Sequence, residues 1–358
     1  IETQIDINAQ DTLLIFDEIQ EVPKALTSLK YFCENARQFH ILAAGSLLGV
    51  ALHVGTSFPV GKVDFIDLYP LNFQEFLLAI GEEKLVTILN EKDWDLINIF
   101  RDKFISYLRE YYFIGGMPAA VNKYIETKDY KQVRSIQLKL LQAYEEDFSK
   151  HAPNEIVPRL KMLWNSIPAQ LAKENKKFIY GLIKEGARAK EYELALSWLI
   201  DCGLIYKVDR VTKPNIPLIA YQDTSAFKLY ILDVGILGAI TRLDEKILLE
   251  GNEIFTEFKG SFTEQFVLTE LKSNKDIPIF YWSAERATAE IDFLIQLGTD
   301  VIPIEVKSSE NLQAKSLKTF IEKYNTKKNI RTSMSNYRKG GNLINIPLYS
   351  IGNIEKII

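Results

Sequence analysis

Cysteine is almost missing from this 358-residue chain: Cys33 and Cys202 are its only two, and they lie far apart. That excludes a disulfide framework and a cysteine-based zinc site, and it suits a reducing compartment. Histidine is as scarce. His40, His53 and His151 are scattered without metal-ligand spacing, so they read as structural or surface residues. No apolar run approaches the roughly 18 residues needed to cross a bilayer, so no membrane partner is expected. A basic-then-apolar leader is absent as well, and the expected location is the cytoplasm. Internal repeats and low-complexity segments are not found. The net charge of −4 argues against a protein that coats nucleic acid.

What is present suffices for sizeable cores, since 47% of the residues are hydrophobic. The length predicts two or three domains at about 100–200 residues each. Charge is unevenly spread. Val306 to Ile358 holds ten Lys/Arg against three Asp/Glu, an excess of +7 that leaves −11 on the rest. Arg159 to Lys190 holds eight against two, an excess of +6. Either patch can be a solvated helix face or a confined contact with DNA or RNA.

Pattern divides the chain further. Leu13-Leu14-Ile15-Phe16 and Ile41-Leu42-Ala43-Ala44 read as buried parallel strands with a helix after Pro23 between them. Residues 81–150 read as helical, interrupted at Gly115-Gly116-Met117-Pro118. Residues 155–220 read as helices followed by a hairpin, the order of a winged helix. Phe262 to Leu271 is predicted as an amphipathic helix. Ile279–Trp282, Ile291–Ile295 and Val301–Val306 follow as strands, and Ser316–Tyr324 as a helix.

Two constellations carry chemistry. The first is Leu13-Leu14-Ile15-Phe16-Asp17-Glu18, a strand ending in two carboxylates, which matches a Walker B motif. Asp17 would hold Mg²⁺ and Glu18 would orient or deprotonate the attacking water. Ser46 stands at the end of the next strand as a candidate sensor of the γ-phosphate. The partner motif is missing: no G-x-x-x-x-G-K-[ST] precedes Leu13. Gly55 to Val63 has five residues between its glycines and Val63 where Ser or Thr would bind Mg²⁺. The chain also begins at Ile1 rather than Met. We therefore expect a fragment of a longer protein that does not bind ATP as given.

The second constellation is Glu264 in a helix, Asp292 in a strand, and Glu305-Val306-Lys307 in the next strand. Strand alternation puts Glu305 and Lys307 on one face. Two carboxylates can then converge on Mg²⁺ or Mn²⁺ while Lys307 orients the water that attacks a phosphodiester. A salt-bridged cluster, with Lys307 neutralising Asp292 and Glu305, is the other reading of these residues. Tyr281 and Trp282 can stack a base or pack a core.

Tyr69-Pro70-Leu71-Asn72-Phe73-Gln74-Glu75-Phe76, Gly260 to Val267, Glu290 to Leu294 and Pro303 to Lys307 each resemble segments of one family. It is the prokaryotic AAA-type ATPases with a C-terminal PD-(D/E)XK nuclease-like domain of unknown function. The resemblance runs from the Walker B strand to Ile358. Where that family often has Gly-Arg, this chain has Gly61-Lys62, so an arginine-finger role is not carried over. The resemblance implies an α/β multidomain protein: a partial AAA-type parallel sheet at 1–80, a helical lid at 81–150, a winged-helix-like domain at 151–250 and a restriction-endonuclease-like α/β domain at 251–358. It implies catalytic Glu305, Lys307, Asp292 and Glu18, nucleotide contacts from Asp17, Glu18 and Ser46, and metal ligands Glu264, Asp292, Glu305 and Asp17. The expected function is ATP binding by the full-length protein coupled to a nuclease-like domain acting on nucleic acid, in a possible homo-oligomer. The alternatives are an ATP-switched regulatory or defence protein whose nuclease-like domain only binds or assembles, and a plain ATPase whose tail only builds oligomers.

Overall fold

The computed structural model describes residues 7–45, 61–173, 176–250, 256–273, 277–284, 289–308 and 315–358. The chain divides into two compact units, 1–68 with 196–204, and 69–195 with 205–358.

In the first unit, strand β1 (Leu13–Phe16) and strand β2 (His40–Ala43) pair in parallel, Leu13 opposite His40 and Phe16 opposite Ala43. Helix α1 (Pro23–Asn35) makes the crossover that parallel pairing demands, with Pro23 in its first turn. The core is Ile19, Leu26 and Leu29, against which Phe16, Ile41, Ala43 and Val63 pack. Both strands were expected to be buried on both faces, and the structure corrects this. Leu13 and Ile15 are 49% and 64% exposed. Alternate side chains of a strand point to opposite faces, and α1 covers only the face that carries Phe16.

The second unit begins with helices α2 (Phe73–Ala79), α3 (Glu83–Glu91), α4 (Trp94–Ile99), α5 (Arg101–Ile114), α6 (Pro118–Thr127), α7 (Tyr130–His151) and α8 (Val157–Leu171). Asn72 starts α2 through a capping box: Asn72 Oδ1 accepts from Glu75 N at 2.9 Å and Glu75 Oε2 accepts from Asn72 N at 2.8 Å. Phe73 and Phe76 are fully buried beside the Tyr111 ring. Tyr111, Tyr112 and Phe113 are core residues, as expected. The break at Gly115-Gly116 has two causes. Gly115 takes φ +73°, and a Cβ on Gly116 would lie 2.0 Å from the carbonyl oxygen of Leu71.

Helix α9 (Ala189–Asp201) precedes strands β3 (Ile205–Val211) and β4 (Gln222–Ile231). Helices α10 (Val234–Ile240), α11 (Glu245–Glu250) and α12 (Thr256–Lys272) come next. The chain then forms β5 (Ile279–Ser283), β6 (Glu290–Leu297), β7 (Asp300–Val306), α13 (Lys315–Tyr324), β8 (Asn329–Ser333), β9 (Arg338–Gly340), β10 (Leu343–Pro347) and α14 (Ile354–Ile357). One mixed sheet of eight strands runs β4-β3-β5-β6-β7-β8-β10-β9. β3 pairs antiparallel with β4 and parallel with β5. The hairpin expected as the wing of a separate 151–250 domain thus shares a sheet with the strands expected at 251–358.

One face of the sheet is sealed by α13, whose Leu317 and Phe320 pack with Trp282, Ile291 and Leu294. Helix α12 is not the amphipathic helix expected. Every residue from Ser261 to Leu268 is buried, as are Glu270 and Leu271. A helix buried all round loses its polar face, so its polar residues need specific partners. Among the described residues no helix is long and apolar enough to cross a membrane.

Candidate functional site

Strands β6 and β7 form a hairpin in the register Phe293–Ile304 to Leu297–Asp300. One step further along that register brings Asp292 beside Glu305. The contact is closed by the backbone: Val306 N–H donates to Asp292 Oδ2 at 2.8 Å. Lys307 Nζ lies 2.7 Å from Glu305 Oε1, on the shared face that alternation requires.

Glu264 comes from α12. Gln265 next to it fixes the helix to the end of β4: Ile231 N–H donates to Gln265 Oε1 at 3.0 Å, and Gln265 Nε2 donates to the Ile231 oxygen at 2.5 Å. Glu264 thereby meets side chains of β4 and of the segment after α8. Lys176 Nζ is 2.6 Å from its Oε1. Tyr230 OH donates to its Oε2 at 3.2 Å, and Lys228 Nζ lies 3.9 Å from the same oxygen. Lys228 is fully buried, 2.5 Å from Glu290 Oε1 and over the Tyr281 ring. Four carboxylates and three lysines are thus packed into one network.

The electrostatics follow from that excess of acid. Burial pushes the Asp292 carboxyl well above the usual carboxylate range, and the charges of Glu264 and Glu305 add to it. Burial raises Glu305 too, against the pull of Lys307. Glu290 is raised by burial, opposed by Lys228. Burial also opposes ionisation of Glu264, but Lys176 and Lys228 outweigh it and its pKa is lowered. Burial works against the Lys307 ammonium, yet Glu305, Asp292 and Glu264 raise its pKa overall.

In the first unit, Asp17 and Glu18 follow the end of β1. Asp17 Oδ1 accepts from Glu18 N at 3.1 Å, and Glu18 adopts a left-handed backbone at φ 47°. Such a conformation is uncommon outside glycine, Asn and Asp. Gln20 Nε2 donates to Glu18 Oε2, and Gln20 Oε1 fills the space a Cβ on Gly45 would need. Lys62 pairs with Glu34 at 3.4 Å. Ser46, the candidate sensor, lies outside the described residues, as does most of Gly55 to Val63.

Residues 1–77 match the family model of an AAA domain. That segment is similar to an AAA domain. Residues 105–247 and 259–351 match two domains of unknown function, DUF8612 and DUF4143. No curated protein and no solved structure matches the chain. The AAA domain suggests an ATPase-like protein. Its Asp17 and Glu18 stand where a strand of that domain ends, while the network around Asp292 and Glu305 lies in the sheet that the second unknown-function domain mostly covers.

Among the described residues, no three or more His, Cys, Asp or Glu side chains are gathered so as to hold a metal ion. Neither Asp17 in the AAA domain nor the trio Glu264, Asp292 and Glu305 forms such a group. At Glu264 an ammonium group occupies Oε1. The other two carboxylates do fit a cation. Glu305 Oε2 is buried with no hydrogen-bond partner, and Asp292 is adjacent and burdened by like charge.

Other expectations resolve individually. Tyr281 and Trp282 are buried, with Trp282 edge-on to Phe320, so they pack a core. The basic run after the site is divided: Lys328 pairs with Asp300 at 3.0 Å, and Arg331 is buried with Nε bonded to Asn345 Oδ1. Sequence reasoning gave no role in this cluster to Lys176, Lys228, Tyr230 or Glu290. Glu290 with Asp292, and Lys228 with Tyr230, show the two-residue spacing of one strand face, which is a signal. Lys176 sits in irregular backbone and leaves no such trace.

Proposed function

We propose that the eight-stranded sheet carries a metal-dependent, nuclease-like site for phosphodiester cleavage in DNA or RNA, coupled in the whole protein to ATP handled by the AAA domain. The observation that carries this reading is the Glu305–Lys307 pair beside Asp292, with Glu305 Oε2 buried and unbonded. An orphaned carboxylate oxygen costs stability, and a ligand that uses it would explain its presence.

Lys307 is held as an ammonium by its acidic neighbours. It therefore donates to a water or a phosphate oxygen and does not accept a proton at neutral pH. The proton of the attacking water would then pass to bulk water or to a phosphate oxygen, since Asp292 and Glu305 are taken up as metal ligands. A bound Mg²⁺ or Mn²⁺ would offset the carboxylates and stabilise charge on the phosphate. In the AAA domain, Asp17 is the proposed contact to Mg²⁺ of the nucleotide and Glu18 the proposed orienter of water, with Ser46 as sensor. These residues include no P-loop, so nucleotide binding is not expected of this chain alone. A homo-oligomer is proposed on the AAA resemblance only.

The test is incubation with Mg²⁺ or Mn²⁺ and single-stranded, duplex and branched DNA and RNA, with Asp292→Ala as control. Cleavage that disappears in the control supports the reading; cleavage that persists refutes it. A second reading, a non-catalytic binding or assembly module, is favoured by the Lys176–Glu264 pair, which neutralises one expected ligand. Metal binding without cleavage of any substrate would support it.

A further inference from the structure

The two lysines at Glu264 differ in one respect. Lys228 is fully enclosed, its side chain 0% exposed and its ammonium locked between Glu290 and Tyr281. Lys176 retains 11% exposure at the rim of the network. It reaches Glu264 from irregular backbone after α8, in a left-handed conformation at φ 46°. Non-glycine residues adopt that conformation at a cost that local contacts must offset. The contact available is the 2.6 Å charge-assisted bond to Glu264 Oε1. A lysine head on a four-carbon stem can swing out to water without moving the backbone.

We infer that Lys176 competes with a divalent cation for Glu264: its ammonium occupies the carboxylate oxygen that would complete a metal set with Asp292 and Glu305. This rests on the metal-site reading proposed above. In the arrangement seen, Lys176 lies on Glu264 Oε1 and Lys228 on its Oε2, while Asp292 and Glu305 still repel each other across β6 and β7. A cation of charge +2 seated between those two carboxylates relieves that repulsion and attracts Glu264 as a third ligand, expelling Lys176 into solvent. Lys176 therefore sets the metal affinity of the site, and a ligand that captures the released ammonium, such as a phosphate, would promote metal loading.

The experiment is calorimetric titration of Mn²⁺ into the whole chain as wild type, Lys176→Met, Lys176→Arg, Lys176→Met with Glu264→Gln, and Asp292→Asn. Circular dichroism confirms that each is folded, and Lys176→Gln replaces the Met variant if that one is not. Binding at least tenfold tighter than wild type is expected for Lys176→Met, equivalent to about 1.4 kcal/mol. Lys176→Arg should behave as wild type, and the double variant should lose the gain. Equal affinity in Lys176→Met and wild type, with Asp292→Asn abolishing binding, would overturn the competition while leaving the metal site intact. A gain that survives Glu264→Gln would overturn it too, since the effect would then be a general change of charge. Absence of Mn²⁺ binding in every folded variant would overturn the metal site and the competition together.

Discussion

Asp292 and Val306 are joined across two antiparallel strands by a 2.8 Å hydrogen bond from the Val306 N–H to Asp292 Oδ2. The bond pins a carboxylate beside Glu305, where burial and like charge oppose its ionisation. A side chain held in an unfavourable state destabilises the fold, and such positions are common at functional sites.

Asp292→Asn should therefore stabilise the metal-free protein. The amide oxygen can still accept from Val306, and the repelling charge is removed. The folded pKa lies above the unfolded value of about 3.9, so the folded state binds the proton more tightly. Wild-type stability is greatest with the carboxyl protonated and falls as pH rises through that range. The gain should be on the order of 1 kcal/mol at pH 7 and shrink towards pH 4. Thermal unfolding without metal at both pH values checks it, and a less stable variant at pH 7 would refute the charge argument.

Glu270 offers a pH prediction away from the site. It is buried, accepts from Phe73 N at 2.8 Å, and is pushed up to about 8 by burial, with Glu75 adding repulsion. Its folded value exceeds the unfolded one, so stability is lost as pH rises from about 4.3 towards 8. Glu270→Gln keeps an acceptor for Phe73 and removes the titration. Between pH 5 and 8 the wild type should lose at least about 1.4 kcal/mol relative to the variant, the equivalent of one pKa unit. Urea unfolding at the two pH values measures it; parallel curves would show that Glu270 does not titrate there.

Gly116 is fixed on two sides, by a side-chain carboxylate and by the backbone of Leu71. Its N–H donates to Asp233 Oδ2 at 2.6 Å, its carbonyl accepts from Leu71 N at 2.8 Å, and a Cβ would sit 2.0 Å from the Leu71 oxygen. Main chain cannot swing aside as a side chain does. Gly116→Ala should cost about 3 kcal/mol or more, whereas Gly260→Ala, where a Cβ meets nothing within 4 Å, should cost little and serves as the control. Comparable unfolding midpoints for the two variants would contradict the packing at Leu71.

The strands and helices were legible because they depend on local pattern. The apolar runs Leu13–Phe16, Ile291–Ile295 and Val301–Val306 mark strands, and Pro23 marks a helix start by its own chemistry. Asp292, Glu305 and Lys307 were legible for the same reason, since the two-residue period puts Glu305 and Lys307 on one face and one hairpin brings Asp292 across. By itself the sequence, with only Cys33 and Cys202, also argued against a disulfide framework. Tertiary structure alone decided the rest. It joined β3 and β4 to the later strands in one sheet, a pairing between segments about 70 residues apart, which no local pattern encodes. It buried α12 on every face, because neighbours on all sides, not periodicity, determine burial. And it put Lys176 on Glu264, 88 residues away in sequence, where an ion pair made by folding takes up the carboxylate that the family resemblance had assigned to a metal.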